Sequence, residues 1–256
     1  MSSIITLLTD FGTADGYAGE LKGVLLSRMR QLGARSELVD ISHDIPPHDV
    51  EFARLVVARY WRRFPEGTVH LVVVDPGVGS ARRPIAVSSA GRFLVGPDNG
   101  VLSSALLSPH AAAVELPVPA GASTTFHGRD VFAPTAATLA AGGTLALLGP
   151  AMVDPVAMRT PEVTRDSDGS LVGQVIAIDS FGNLVTNLFM PRNGAAAVEV
   201  GGRVLSIVTT YSDAPHDTPV ALVGSMGLLE IAVREGRASV VLGVERDATV
   251  RLRPRS

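Results

Sequence analysis

Short apolar runs alternate with segments of helical spacing along the first half of the chain. The valine-rich run within Thr68–Val74 is typical of a strand that is buried on both faces of a parallel sheet. Further strands are predicted at Ile4–Leu8, Ser36–Ile41, Ile85–Ser88 and Phe93–Val95. Helices are predicted at Gly19–Leu32, from about His48 to Phe64, and at Val101–Leu107. This alternation predicts an α/β fold, with a mainly parallel, Rossmann-like sheet and helices on its faces.

The pattern changes near residue 160, where the polar segment Arg165–Ser170 separates two kinds of sequence. Beyond it the apolar runs are short and rich in β-branched residues, and no amphipathic helix is predicted. The predicted strands are Leu171–Ile178, Leu184–Leu188, Ala196–Val200, Val204–Val208, Pro219–Val223, Ser239–Leu242 and Thr249–Leu252. We therefore predict two domains: residues 1–160 form the α/β domain, and residues 161–256 form an antiparallel β-barrel.

One uncharged segment, Val131–Val153, is long enough to cross a bilayer. It is interrupted by Pro134, by Gly142 and by Gly149-Pro150, so we interpret it as a buried helix that ends near Gly142, followed by a short strand or loop. The N-terminal residues lack the basic flank and long apolar core of a signal peptide. A cytoplasmic protein without a membrane partner is the expectation.

Composition narrows the classes of protein further. The chain has 256 residues, of which 46% are hydrophobic and 18% charged, which is typical of a globular protein. Its formal net charge of −3 argues against a nucleic-acid partner. Cysteine is absent from the sequence, which excludes disulfides and thiolate metal sites, and the six histidines lack a metal-ligand spacing. We predict no metal and no cofactor.

Several predicted strands are followed directly by acidic or glycine-rich segments. Asp10, Asp75 and Asp98 each follow a predicted strand, and Asp40 or His43 follows another. Right-handed crossovers would place these ends along one edge of the sheet, where open α/β sheets bind ligands. For Asp75 alone, the following Pro-Gly is equally consistent with a purely structural turn.

Other polar residues in the first domain are candidates for chemistry. Asp15 follows the first strand, Arg82 follows the Asp75 loop, and His127 precedes the uncharged segment. A structural role for His127 remains open from its surroundings alone. Asp10-Phe11-Gly12 matches the magnesium triplet of kinases, but no glycine-rich loop or catalytic loop precedes it, which excludes a kinase.

The second domain contains one compact polar motif, DSFGN, directly after a predicted strand. Phe181 could stack on a flat base, and the amide of Asn183 could pair with an adenine edge. An Asx turn built on Asp179 explains the same residues equally well.

The order of several long motifs resembles that in S-adenosyl-L-methionine hydrolases, the hydroxide adenosyltransferases related to fluorinase and chlorinase. The motifs are LLTDFG, VDISHDI, GTVHLVVVDPGVGSARR, GPDNG, AIDSFGNLVTN and GSMGLLEIA. They extend from Leu7 to about Ala238 and so cover nearly the whole chain. The resemblance implies a Rossmann-like first domain, a β-barrel second domain, and a homotrimer whose active sites lie between subunits.

The resemblance also assigns roles to individual residues. The family's catalytic Asp-Arg-His set falls on Asp75, Arg82 and His127. The remaining matches are expected to bind substrate: Asp10 and His48 at the ribose, Asp179 and Ser225 at the methionine end, Phe181, Asn183 and the Ala238 backbone at the adenine, and Glu230 as a further ligand. Asp15 is added to the substrate-binding candidates because it follows the first predicted strand.

The implied reaction converts S-adenosyl-L-methionine and water to adenosine and L-methionine. Two alternatives are halide-dependent 5′-halogenation and a non-catalytic module that senses adenosine or S-adenosyl-L-methionine. Asp75 stands where the halogenases have a tyrosine, and a carboxylate there disfavours halide and favours water. Met226 stands where the halogenases have an arginine for the methionine carboxylate, and the sequence names no substitute for that contact.

Overall fold

The computed structural model describes residues 3–192 and 194–254. The chain divides into two compact units, Met1–Met158 and Arg159–Ser256.

The first unit is built on a mixed six-stranded sheet with the strand order β2-β1-β3-β5-β4-β6. Its strands are β1 (Ser3–Thr9), β2 (Ser36–Ser42), β3 (Val69–Val73), β4 (Pro84–Ser89), β5 (Arg92–Pro97) and β6 (Ala112–Glu115). Its α-helices are α1 (Tyr17–Gln31), α2 (Val50–Tyr60), α3 (Ser103–Leu106) and α4 (Ala133–Ala140). The α/β class predicted from the sequence is confirmed.

The direction of the strands places the polar strand ends together. Strands β2, β1, β3 and β5 are parallel neighbours, whereas β4 pairs antiparallel with β5 and β6. The carboxyl ends of the four parallel strands therefore lie at one edge of the sheet. Asp10, His43, Asp75 and Asp98 follow these ends, as the strand pattern predicts.

Both faces of this sheet are covered by apolar side chains. Along β3, Leu71 belongs to the cluster with α1 and α4, and Val72 belongs to the cluster with α2 and Trp61. Because successive strand residues point to opposite faces, a continuous apolar run is required at a strand buried on both sides. The sheet is therefore the middle layer of three, and its edge is left for polar groups.

The uncharged segment forms short elements rather than one long helix. A π-helical turn at Gly128–Phe132 runs into α4, and a 3-10 turn follows at Leu145–Leu147. Within residues 3–192 and 194–254, no helix is long and apolar enough to cross a membrane. The helix predicted at Val101–Leu107 is limited to the single turn of α3, and strand β6 was not predicted.

The second unit is a nearly closed antiparallel sheet with the order β11-β10-β14-β8-β9-β13-β12 and with β7 paired to β8. Its strands are β7 (Thr164–Arg165), β8 (Leu171–Ile178), β9 (Leu184–Phe189), β10 (Ala197–Val200), β11 (Arg203–Leu205), β12 (Pro219–Val223), β13 (Leu228–Val233) and β14 (Thr249–Arg253). Backbone bonds between Ser206–Val208 and Ala221 bring the two outer strands together. This arrangement confirms the predicted barrel.

One predicted strand of this unit is wrong. Residues Ser239–Leu242 lie in a short helix, α5 (Ala238–Leu242), which ends at Gly243 in the left-handed conformation. A run of four apolar or small residues does not by itself distinguish a strand from one helical turn. The backbone N–H of Ser239 donates to the carbonyl of Gly182, which fixes the helix against the DSFGN loop.

Candidate active site

The side chains of Asp75, Arg82 and His127 meet at the carboxyl edge of the first sheet. Nε of Arg82 donates to Oδ1 of Asp75 at 3.0 Å, and Nη2 of Arg82 pairs with Oδ2 of the same carboxylate. Nη2 also lies 3.2 Å from Nδ1 of His127. The side chains of Asp75 and Arg82 are 5% and 7% exposed, so this two-point ion pair is shielded from water. Such a fork is specific to the planar guanidinium.

The contact between Arg82 and His127 determines how the imidazole is used. A guanidinium can only donate, so Nδ1 of His127 is the acceptor, and the proton of the neutral ring is on Nε2. Burial and the neighbouring Arg82 charge lower the pKa of His127, which keeps the ring neutral. His127 therefore offers an N–H donor at Nε2 and a lone pair that Arg82 already occupies.

The pKa of Asp75 is shifted in the opposite direction to that of His127. Burial raises the pKa of Asp75 above its ordinary value, although the ion pair with Arg82 opposes that rise. The carboxylate is thus a stronger base than an exposed aspartate. Each carboxylate oxygen has a second lone pair beyond the one that faces Arg82, so Asp75 can still accept a hydrogen bond from a small molecule.

The two residues Asp75 and His127 line a cavity of about 270 Å³ in the first unit. Asp10 and His48 line the same cavity, and Oδ2 of Asp10 accepts the backbone N–H of His48 at 2.9 Å. Asp15 is exposed in the loop before α1 and does not line this cavity. The structure thus gathers one set of predicted residues around one cavity and leaves Asp15 outside it.

Three aromatic rings in the cavity wall were missed by the residue-by-residue reading. Phe11, Tyr17 and Phe126 contact one another edge to face, with ring centroids 5.5 to 6.2 Å apart. Phe11 directly follows Asp10 and Phe126 directly precedes His127 in the chain, which is the signal that could have found these two rings; Tyr17 has no such signal. The rings give the cavity a large apolar surface beside its carboxylates.

In the second unit, the DSFGN loop is an Asx turn. Oδ1 of Asp179 accepts the backbone N–H groups of Phe181 and Asn183 at 3.0 and 2.9 Å, and its Oδ2 accepts Nδ2 of Asn183 at 3.1 Å. The ring of Phe181 is 74% exposed at the loop tip, whereas Asn183 is buried. Asp179 therefore shapes the loop that presents Phe181 and Asn183.

Glu230 lies against the turn that contains Ser225. The buried Glu230 on β13 accepts the hydroxyl of Tyr211 at 3.2 Å, and its carboxylate occupies the space that a Cβ at Gly224 would fill. Ser225 follows Gly224 in the exposed turn between β12 and β13. Glu230 thus supports the turn that carries Ser225.

A second cavity, of about 610 Å³, lies within this unit. Phe181 and Asn183 line it together with Tyr211, Arg234 and Arg237, which the sequence reasoning did not single out. Nη1 of Arg237 donates to the carbonyl of Ser180 at 2.9 Å, and the following residue, Ala238, is fully buried at the start of α5. The position of Arg237 beside Ala238 is the signal that could have found it.

The described residues contain no group of three or more histidine, aspartate or glutamate side chains placed to hold a metal ion. In the first cavity, the Asp75 carboxylate and the His127 imidazole face the open space and are both held by the Arg82 guanidinium. The site is thus arranged for a positioned water or a polar small molecule.

A mixed α/β sheet with a buried Asp-Arg-His set at its carboxyl edge defines a small-molecule site of the α/β class in the first unit. Models of the N-terminal and C-terminal domains of the SAM hydroxide adenosyltransferases match residues 5–149 and 173–251. The chain belongs to the SAM hydroxide adenosyltransferase family.

Individual relatives agree with this membership. A protein of Thermus thermophilus named (R)-S-adenosyl-L-methionine hydrolase is 41% identical, covering 97% of this chain and 98% of its own. A fluorinase of Actinopolyspora mzabensis is 28% identical, covering 97% and 96%. The crystal structure of an uncharacterized conserved protein from Thermotoga maritima superposes with a TM-score of 0.86 at 31% identity, covering 97% and 99%.

Proposed function

We propose that the protein hydrolyses S-adenosyl-L-methionine to adenosine and L-methionine. The observation that carries the proposal is the buried set of a carboxylate and a neutral imidazole that line one cavity and are both paired with the guanidinium of Arg82 behind them. Relatives with 40 to 41% identity over almost the whole chain that are named (R)-S-adenosyl-L-methionine hydrolase support it.

The reaction needs an oriented water rather than a strong acid. A water oxygen attacks C5′ while the C5′–S bond breaks and its electron pair goes to sulfur, which leaves as the neutral thioether of methionine. One proton of the water stays on the new 5′-hydroxyl, and the other must be accepted. Holding water in line with C5′ and sulfur supplies much of the rate.

We assign the proton acceptor to Asp75. Nδ1 of His127 already accepts from Arg82, and Nε2 carries the proton of the neutral ring, so His127 donates to the water oxygen and orients it. The Asp75 carboxylate, whose pKa is raised by burial, takes the proton. Arg82 stabilises the developing hydroxide and holds the other two side chains in place.

The same geometry accounts for a preference for water over halide. A halide at the position of the water would face the Asp75 carboxylate, and repulsion between the two anions would be strong in a buried site. Water has no such penalty and gives its proton to the same group.

Substrate binding is assigned to residues of both units. We propose that Asp10 and His48 bind the ribose, that Asp179 and Ser225 bind the methionine end, and that Phe181, Asn183 and the Ala238 backbone bind the adenine. Asp15 and Glu230 are proposed as further substrate ligands. The active oligomer is proposed to be a cytoplasmic homotrimer in which the first unit of one subunit and the second unit of its neighbour complete each site. The family resemblance supports this assembly.

The test is incubation of the purified protein with S-adenosyl-L-methionine, with adenosine and methionine followed by chromatography. We expect equal amounts of the two products, the same rate after chelator treatment, and a rate lower by about 10²–10⁴-fold with Asp75→Asn. If adenosine binds in calorimetry but no product forms, the protein is a sensor. Formation of a 5′-halogenated nucleoside in chloride or fluoride buffer would identify a halogenase instead.

A further inference from the structure

The GPDNG segment is not accounted for by the proposed reaction, although it lies beside the catalytic loop. The loop from Asp75 to Arg82 connects β3 to β4, and β5 lies between these two strands in the sheet. The loop must therefore cross the end of β5. Asp98 and Asn99 follow that end and lie between the two ends of the loop.

Asn99 fixes the entry of the loop. Its Nδ2 donates to the backbone carbonyl of Val74, the residue before Asp75, at 2.9 Å, and its Oδ1 accepts the N–H of Val101 at 3.2 Å. The amide is thus held from both sides. The bond to Val74 ties the GPDNG segment to the chain directly before Asp75.

Asp98 fixes the exit of the loop. Its backbone N–H donates to the carbonyl of Arg83 at 2.9 Å, and its Oδ2 accepts Nε and Nη2 of Arg83 at 3.0 and 2.7 Å. Its Oδ1 accepts the N–H of Val156 at 2.7 Å. With a side chain only 1% exposed, Asp98 is a buried, fully bonded anchor next to Arg82.

Bonds within the loop reach both of its ends, because the carbonyl of Asp75 accepts the N–H of Val78 at 3.2 Å and the Asp75–Arg82 ion pair joins the two ends. The carbonyl of Gly77 accepts the backbone N–H of Ser80 at 3.1 Å and its hydroxyl at 2.6 Å, and Ser80 Oγ accepts the N–H of Arg82 at 3.2 Å. These bonds set the shape of the loop tip. The distance between Asp75 and Arg82 also depends on where the two ends are held.

We infer that Asp98 and Asn99 are positioning residues that clamp the two ends of the catalytic loop and so set the Asp75–Arg82 ion pair. The inference rests on the proposed function of that pair. A shift of about 1 Å at a reacting group costs up to about a hundredfold in rate, so an anchor one residue away has a large effect.

The test compares variants of the two anchors. Asn99→Leu is similar in size and adds no charge beside Asp75, but it cannot donate to Val74 or accept from Val101. Asp98→Asn keeps the acceptor for Val156 but turns an amide toward Arg83. Arg83→Lys loosens the exit from the other side and is the substitute if one of these variants does not fold. Asp154→Asn is the matched control, because Asp154 also bonds Arg83, at 2.9 Å, but its side chain is 74% exposed.

We expect the loop variants to lower kcat by about ten- to a hundredfold with KM within about twofold, and the control to retain nearly full activity. A looser ion pair lets the pKa of Asp75 rise further, so the acid limb of the kcat profile should move to higher pH. A general loss of folded protein would not move that limb. The inference is wrong if the acid limb of the loop variants stays at the wild-type pH and their kcat equals that of the control.

A second measurement separates this inference from the proposed reaction. The carboxyl carbon resonance of Asp75, titrated by NMR, reports the ion pair whether or not the protein hydrolyses anything. A titration that moves to higher pH in the uncharged variant Asn99→Leu supports the clamp even if no adenosine is formed. A midpoint that is the same in wild type and Asn99→Leu rejects it.

Discussion

The Asp10 carboxylate accepts its hydrogen bond from the backbone of His48, not from the imidazole ring, and His48 has a φ of 68°. A residue with a side chain rarely adopts this left-handed conformation, because its Cβ crowds the following carbonyl. The bond to Asp10 is thus made by a backbone held in a costly geometry. It joins the loop after β1 to the loop before α2.

Replacement of His48 by glycine tests this relationship. The backbone N–H remains and glycine accepts the positive φ, so we expect stability to be kept or raised, by up to about 1 kcal/mol, while KM rises because the ring no longer contacts the ribose. His48→Val is the matched control and should lose stability. Loss of stability in His48→Gly would mean that the ring itself holds the loop.

The roles of Asp75 and His127 are distinguished by replacing each with asparagine. Asp75→Asn cannot accept the proton, and we expect hydrolysis to fall by about 10²–10⁴-fold. In His127→Asn the side-chain oxygen can still accept from Arg82, so we expect a loss of about tenfold, as for one hydrogen bond. Adenosine affinity, measured by calorimetry, should change little in both. Equal losses in the two variants would contradict Asp75 as the proton acceptor.

The pH dependence of hydrolysis should have a single acid limb. Asp75 must be ionised, and because burial raises its pKa, activity should fall at a higher pH than for an ordinary aspartate. The pKa of His127 is lowered, so the ring is already neutral throughout the neutral and alkaline range and adds no alkaline limb. Measurement of kcat/KM from about pH 4 to about pH 9 checks this. If activity falls above neutral pH, a second group must be protonated for the reaction, and the proposed mechanism contains no such group.

The proposed shared active site is tested by mixing two inactive proteins. Asp75→Ala removes the base of the first unit, and Asn183→Ala removes an adenine contact of the second unit. If sites form between subunits, mixed oligomers contain some intact sites, and part of the activity should return after joint refolding. Oligomers confirmed as mixed by mass spectrometry but still inactive would place each site within one chain.

A buried histidine away from the site should make the protein sensitive to acid. His70 is fully buried on β3, with Nδ1 2.8 Å from the hydroxyl of Thr6, and burial lowers its pKa to about 4. Since the unfolded chain binds this proton near pH 6.5, stability is fully present above that pH and falls by up to about 3 kcal/mol as the pH drops to about 4.

The variant His70→Asn keeps a polar atom near Nδ1 but does not titrate. Urea unfolding at about pH 7 and about pH 4.5 should show a smaller difference in the free energy of unfolding for this variant than for wild type. An unchanged difference would mean that other groups cause the loss in acid. Hydrolysis at neutral pH should persist in the variant, because His70 does not line the cavity.

Local pattern determined much of the fold. The run at β3 predicts a doubly buried strand because its side chains face two apolar layers, and Gly33, with φ 65°, marks the end of α1 because glycine accepts that conformation. The polar strand ends predict the edge that carries Asp10 and Asp75, since parallel strands share one carboxyl edge. The bounds of Leu171–Ile178 and Pro219–Val223 agree with β8 and β12.

Other features depended on contacts between distant parts of the chain. The apolar run Ser239–Leu242 is too short to distinguish a strand from a helical turn, and the sequence predicts a strand there. The structure has a helix at Ala238–Leu242, whose bond to the carbonyl of Gly182 joins residues far apart in the sequence. The residues alone left Asp75 and His127 with structural alternatives, and the family resemblance named them as a set. Only the tertiary structure, which brings Arg82 to a ring 45 positions away, decided which nitrogen of His127 accepts, because a hydrogen bond is directional and its partners must meet in space.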